Sequence, residues 1–274
     1  MPGARRIAVS YTMESFGLSI RRSCRLVGVY RATYNYRPRD RGDGLLRVRL
    51  RELAEQRRRF GCPRLHVMLK RESLVINHKR TERIYREEKL SLRQKKRKRK
   101  AAVLRVMLPQ AEHADQRWSM DFVCDSTSTG RRFRALAIVD DYSRECPALE
   151  VDSSMPGARV VDVLDRLAEM RGLPEVITMD NGPEFASRAL DEWAYRRGVK
   201  LNFIRPGKPV ENAYAESFIG RLRDECLNEN WFSSVREARD IIETWRRDYN
   251  EVRPHSSLDN LSPMEFMETR ENSH

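Results

Sequence analysis

The sequence predicts an α/β protein in which a mixed sheet flanked by helices is preceded by all-helical segments. Three observations support this. The first ninety residues carry helix caps, breakers and apolar residues at helical spacing. From Gln116 onward, short apolar strands alternate with helical stretches. The balance of charge changes sign at the same place. Residues 1–111 hold 31 Lys and Arg against 9 Asp and Glu, whereas residues 112–274 hold 22 against 31.

The 274-residue length leaves room for one large domain or two to three smaller ones. With 40% apolar and 34% charged residues, the composition is that of a soluble chain with a polar surface. No run of about 18 apolar residues exists, which excludes a membrane-spanning helix. The N-terminus lacks the apolar stretch of a secretory signal, so a cytosolic location is expected. Five cysteines (Cys24, Cys62, Cys124, Cys146 and Cys226) stand singly, with no metal-ligand spacing, and are read as buried or inert thiols. The net charge of +13, concentrated in the first half, points to a polyanion, and nucleic acid is the natural one.

Ser19 is placed to cap a helix that Gly28 ends, and a further short helix runs near Arg31–Tyr36 until Pro38. Helix, turn, then a helix bearing Arg31, Tyr34, Asn35 and Arg37 has the form of a helix-turn-helix reader, or equally of three small packed helices. After the break at Asp40–Gly44, Leu46, Leu50 and Leu53 mark a helix. Another starts near Pro63, and Asn77 caps a third that contains Ile84 and Tyr85. The polar faces carry Arg57, Arg58, Arg59, Arg64, Lys79, Arg80 and Arg83, which suits helices laid against a DNA backbone. The run Arg93–Lys100 is cationic at seven of eight positions. It self-repels, and is expected to be a linker that orders on DNA.

Strands are expected at 118–125, 132–140 and 145–151, the last at a sheet edge because Pro147 cannot donate to a ladder. A helix over about 158–170, strand 175–180, helix 187–197, strand 201–204 and helices 212–228 and 235–252 complete the pattern. A three-stranded meander followed by alternating helices and strands is the order of a ribonuclease-H-like mixed five-stranded sheet with flanking helices.

Three carboxylates stand out by position. Asp121 lies within the first strand among residues fit for burial. Asp180 ends a buried strand just before Asn181-Gly182-Pro183, which turns the chain and exposes a carboxylate at the sheet edge where such folds place ligands. Glu216 lies one turn into a helix whose core stripe is Ala215, Phe218, Ile219, Leu222 and Cys226, and it shares the opposite flank with Arg223. Three converging carboxylates repel unless divalent cations neutralise them, and oxygen-only ligands favour Mg²⁺ or Mn²⁺ over zinc. Asp125, Asp140 and Asp141 are alternatives near the same strands, and among 40 acidic residues a bare triple is weak ground.

The blocks RWSMDF, VDDYSRE, DNGPEF, RPGKPVENAYAESFIGRLRDECLN and YNEVRPHSSL…SPMEF give a firmer one. They resemble the second-reading-frame (OrfB) transposases of bacterial insertion sequences, a family with an integrase-type catalytic core. In that family's pattern 35 residues separate the second Asp from the Glu, as they do between Asp180 and Glu216, and a basic residue seven beyond the Glu matches Arg223. The upstream helical segments resemble those the family carries before its core.

The resemblance implies catalytic and metal-binding roles for Asp121, Asp180 and Glu216, with two Mg²⁺ or Mn²⁺ ions per site. Asn181, Gly182 and Glu184 would shape the site, and Asn212 would open the helix bearing Glu216. DNA contacts are expected from Arg223, Lys208, Lys95, Lys96, Arg97, Lys98, Arg99 and Lys100. The implied organisation is a helix-turn-helix-like segment over 1–43, a second helical DNA-binding segment over 44–92, a basic linker over 93–111, the core over 112–252 and a tail over 253–274. In the tail, Asp259–Asn260 stands where the family pattern has a glycine and an aromatic residue.

The implied chemistry frees a 3′-OH at an element end and joins it to target DNA, with no ATP and no G-x-x-x-x-G-K-[ST] loop to bind it. Ser119 and Tyr142 are read as structural. Partners implied are DNA, further copies of the chain on that DNA, and an upstream-frame (OrfA) product or fusion, since no heptad run persists in the first hundred residues. The location is then the nucleoid. Two other readings fit the residues: an inactive DNA-binding regulator, and a nuclease that cleaves without strand transfer.

Overall fold

The computed structural model describes residues 2–36, 42–93, 110–205 and 209–272. The basic run Lys95–Lys100, Lys208 and Arg37 lie outside them. The chain divides into two compact units, residues 1–47 and 48–274.

In the first unit, α1 (Pro2–Phe16), α2 (Ile20–Val27) and α3 (Arg31–Asn35) pack on one another. The Ser19 hydroxyl accepts from the Arg22 N–H, and Gly28 ends α2 at φ 68°, a left-handed position that suits glycine. With no breaker between Ala4 and Phe16, α1 is longer than the short helices expected there. The Arg6 guanidinium donates to the Thr33 carbonyl at 2.7 Å, and the Tyr34 hydroxyl meets Ser10 Oγ at 3.3 Å. Tyr34 therefore braces this bundle, and Arg31 and Asn35 are the exposed residues of the expected reader among those described.

Helices α4 (Gly44–Gln56), α5 (Cys62–Arg71) and α6 (His78–Glu87) follow. Leu50, Leu53, Leu65, Leu69 and Ile84 are buried, as their helical spacing requires. The arginines of this segment depart from expectation. Arg57 pairs with Asp248, Arg59 with Glu229, Arg64 with Glu225 and Arg71 with Glu265, all within the second unit. Arg83 pairs with Glu87 one turn along its own helix. Much of the basic surface read as facing DNA is thus neutralised by the acidic half of the same chain. Opposite net charges in one compact unit attract, and the bidentate pair of Arg57 with Asp248 fixes the contact.

The sheet comprises β1 (Arg117–Ser126), β2 (Arg132–Asp140), β3 (Ala148–Asp152), β4 (Val176–Met179) and β5 (Lys200–Phe203) in the order β3-β2-β1-β4-β5. The first three strands form an antiparallel meander, while β4 and β5 run parallel to β1. This is the ribonuclease-H-like mixed sheet. β3 lies at an edge, and Pro147 falls just before it, outside the ladder.

Alternation along the strands splits the core into two layers. Trp118, Met120, Leu136, Ile138, Ile177 and Met179 pack against α7 (Gly157–Arg171) and α8 (Arg188–Arg197). On the opposite face Val123, Phe133, Ala135, Ala137 and Val139 meet α9 (Ala213–Glu225) and α10 (Val235–Glu251). Central β1 thus points odd-numbered residues, Asp121 among them, toward the α9 side.

Beyond α10 the chain stays ordered. His255 bridges to Leu261, and α11 (Pro263–Glu271) opens with a capping box between Ser262 and Glu265. All five cysteines are free. Among the described residues no helix is long and apolar enough to cross a membrane.

Candidate active site

The parallel register of β1 and β4 pairs Trp118 with Ile177 and Ser119 with Thr178. Carried two residues further, it sets Asp121 beside Asp180, just where β4 ends. Ile177 and Met179 face α7 and α8, so alternation turns Asp180 to the same side as Asp121. Beyond β4 the Gly182 N–H donates to Asp180 Oδ1 at 3.0 Å. A Cβ at Gly182 would stand 3.0 Å from that oxygen and 3.3 Å from Glu184 Oε2, so a side chain there would make both carboxylates give way. The Asn181 amide donates to the Ile204 carbonyl at 2.7 Å, tying this turn to the end of β5.

Glu216 comes from α9. Ala215, Phe218, Ile219 and Leu222 bury one stripe of the helix, which leaves Glu216 and Arg223 on the exposed flank. Asn212 precedes the helix but does not cap it. Its buried amide instead reaches 2.9 Å to the Met120 carbonyl, beside Asp121, leaving its own Oδ1 without a hydrogen-bond partner. The start of α9 is thereby fastened to β1 at the residue before the carboxylate.

These positions act on one another electrostatically. Burial pushes Asp121 up to about 6, and the charges of Asp180 and Glu216 push the same way. The Phe122 N–H, 2.7 Å from Asp121 Oδ1, and the more distant Arg223 pull it down. Partial burial also raises Glu216. Among the described residues no three acidic, histidine or cysteine side chains are drawn in to metal-ligand spacing. The three carboxylates share a field rather than a closed cage.

The alternative acids are committed elsewhere. Asp140 is fully buried and accepts from the Asp115, Tyr142 and Ser143 N–H groups and the Ser143 hydroxyl. Buried Asp141 accepts from Ser119 Oγ at 2.6 Å and pairs with Arg117. Ser119 therefore serves Asp141, and the Tyr142 ring packs on Phe266. Asp125 accepts the next N–H in the chain, that of Ser126.

Sequence reasoning missed the support beneath Asp121. Arg134 pairs with Glu184 and lies 4.3 Å over the Phe122 ring, which stacks on Phe185 at 4.8 Å. A charged residue inside the apolar run RFRALAIVD was the available signal. Glu184, expected to shape the site, is engaged by this arginine, which holds its carboxyl below the usual range.

Comparison with known proteins follows the same division of the chain. An integrase core domain model matches residues 111–209, a second of the same description matches 197–263, and an HTH-like domain model matches 40–99. That last match falls mainly on α4–α6 rather than on the first forty residues. The chain is 47% identical over 259 residues to the insertion element IS407 uncharacterized 31.7 kDa protein of Burkholderia multivorans, covering 94% of each. It is 43% identical over 266 residues to the insertion element IS476 uncharacterized 39.2 kDa protein of Xanthomonas euvesicatoria, covering 97% of this chain and 77% of the relative. A solved HTLV-2 integrase catalytic core domain in complex with magnesium aligns at a TM-score of 0.44 and 14% identity, over 56% of this chain and 95% of that one.

A mixed sheet of this order carrying an integrase-core sequence defines a polynucleotidyl transferase of the transposase and integrase class. Within that class the chain belongs to the insertion-element transposases.

Proposed function

We propose that this transposase cleaves DNA at the ends of its own element and transfers the freed 3′-OH to target DNA, using Asp121, Asp180 and Glu216. The observation that carries this reading is the juxtaposition of Asp121 with Asp180 at the sheet edge, where burial raises Asp121 to about 6 and the charges of Asp180 and Glu216 add to that rise. An enzyme gains nothing from holding like charges together unless a cation or a proton resides there.

The donor set fits divalent metal. All three ligands are hard oxygens, and no histidine or cysteine is involved in the Asp121 field. When bound, two Mg²⁺ or Mn²⁺ ions would neutralise the cluster and stabilise the attacking and leaving oxygens of a phosphodiester. Asp121 and Asp180 would hold them from neighbouring strands, and Glu216 from α9.

The chain's own part is positioning. The bond from Asn212 to Met120 keeps α9 in place against β1, and the pairing of Arg134 with Glu184 steadies the strand beneath Asp121. Exposed Arg223 offers a guanidinium to a DNA phosphate two turns beyond Glu216. In the first step a water oxygen bonds to phosphorus as the 3′ oxygen leaves and takes up a proton. In the second, that 3′-OH attacks another phosphodiester, loses its proton and displaces a second 3′ oxygen. Each step makes one P–O bond and breaks one, so no nucleotide is consumed.

Joining two element ends calls for more than one copy of the chain on the DNA, with an upstream-frame product as a further partner. Strand transfer on DNA carrying the element's ends, with Mn²⁺ and with wild type or Glu216→Gln, is the test. Joined product from wild type alone supports the reading. Cleavage without joining would leave a nuclease, and metal-independent binding without cleavage a regulator.

A further inference from the structure

A cavity of about 430 Å³ lies on the other flank of α9 from Glu216. Its lining includes Ser217 and Arg221, one turn apart on the helix, while Asp121, Asp180 and Glu216 take no part in it. Arg64 enters from α5 and Arg144 from the β2–β3 turn. Arg253, Ser256 and Ser257 come from the segment that follows α10.

The cavity holds more positive charge than the protein answers. Arg253 is almost fully buried and grips Glu225 with two bonds of 2.7 Å. Among the described residues the same carboxylate is the only ion-pair partner of Arg64, at a long 3.5 Å, and the guanidinium also lies 5.4 Å over the Phe60 ring. Among the described residues Arg144 has no carboxylate at ion-pair distance. Its guanidinium lies 4.0 Å over the Tyr214 ring and donates to the Asp141 carbonyl. Exposed Arg221 has no partner among the described residues. Glu211, the one acid lining the cavity, is already held by Arg205. Four guanidiniums thus converge around two committed carboxylates.

The neighbours register this excess. Burial and the charges of Arg253 and Arg221 bring Arg64 down to about 10, with Glu225 only partly offsetting them. His255, buried among Arg253, Arg64 and Arg144, is pushed down to about 3 and stays neutral, so it adds no charge of its own.

We infer that this cavity is a second DNA site, which takes a backbone phosphate between Arg64, Arg144 and Arg221, with the hydroxyls of Ser217 and Ser257 at hand. Guanidiniums that outnumber the carboxylates beside them, half-buried at Arg64 and Arg144 and exposed at Arg221, are an arrangement that receives phosphate, and a groove pairing cations with an aromatic ring suits a nucleic-acid strand. The site would grip α9 from behind while its other flank faces the scissile bond. It also joins the α4–α6 segment, through Arg64, to the catalytic core. The inference rests on the reading that the enzyme handles DNA.

The test measures binding of the full chain to element-end duplex across a salt series, without divalent metal. Arg221→Ala and Ser257→Glu are compared with Arg236→Ala, which removes an equally exposed charge from α10. Loss of one phosphate contact lowers the slope of log K against log salt by about 1 and weakens binding about tenfold. Both cavity variants are expected to weaken binding to about that extent, Arg221→Ala with the lowered slope, and Arg236→Ala to change neither quantity. If wild type binds DNA and all three variants behave alike, the cavity is not a DNA site, although the enzyme reading stands. If inorganic phosphate or a deoxynucleoside monophosphate stabilises wild type but not Arg221→Ala, and DNA affinity is equal in both, the cavity holds a small free anion and the inference is overturned. Failure of wild type to bind DNA at all removes both readings.

Discussion

The side-chain amide of Asn212 donates to the carbonyl of Met120 at 2.9 Å, inside the protein and one residue from Asp121. It links the entry of α9 to the central strand, so this hydrogen bond adds to the packing of Phe218, Ile219 and Leu222 in setting Glu216 relative to Asp121. Asn212→Ala should destabilise the fold by about 1–3 kcal/mol, the usual result of leaving a buried carbonyl unpaired. Strand transfer should fall further than the folded fraction does. Urea unfolding beside single-turnover assays would separate the two effects, and equal losses would mean that Asn212 is only structural.

Asp121 sets a pH dependence whose sign can be stated. Its carboxyl is raised to about 6, so the folded chain keeps this proton at pH values where the unfolded chain has lost it. Stability from this group is present below about pH 4 and lost as pH climbs toward about 6. In metal-free buffer, melting temperatures of wild type relative to Asp121→Asn should fall across that window. Mn²⁺ should bind more tightly over the same interval, because the ligand must shed its proton first. A flat difference between the two proteins would mean that burial at Asp121 is relieved in solution.

Asp121→Asn should also abolish cleavage and joining by about a thousandfold or more while leaving the fold intact. The amide removes a charge from a crowded site, so the variant should be at least as stable as wild type at neutral pH. Calorimetry with a gel-based cleavage assay decides this, and substantial residual activity would exclude Asp121 from the chemistry.

Arg57 and Asp248 join the α4–α6 segment to α10 through two parallel hydrogen bonds between half-buried side chains. A double-mutant cycle on Arg57→Ala and Asp248→Ala should give a coupling of about 1–2 kcal/mol in urea unfolding. A value near zero would class the pair with ordinary surface bridges.

Asp259 and Asn260 both adopt positive φ, 54° and 66°, at the turn before α11. Asp and Asn tolerate that region better than other side-chain-bearing residues, and glycine tolerates it best. Asn260→Gly should raise stability by about 0.5–1 kcal/mol with no effect on activity, read as a shift of the urea midpoint.

Residue order alone determined the sheet class, the strand boundaries to within a few residues and the amphipathic stripe of α9. These follow from local periodicity, from Gly and Pro breaks, and from Pro147 keeping its strand at an edge. The family blocks single out Asp121, Asp180 and Glu216 among the acidic residues.

The tertiary structure decided what surrounds them. That Asp121 and Asp180 lie side by side depends on β4 pairing with β1 across more than fifty residues of chain. No local pattern encodes that register. Arginines look alike in sequence whether they meet DNA or a carboxylate, so the engagement of Arg57, Arg59, Arg64 and Arg71 by the acidic core became visible only in three dimensions. The same holds for Asn212, expected only to open the helix bearing Glu216. Its amide instead bonds Met120, because folding brought a buried carbonyl within reach.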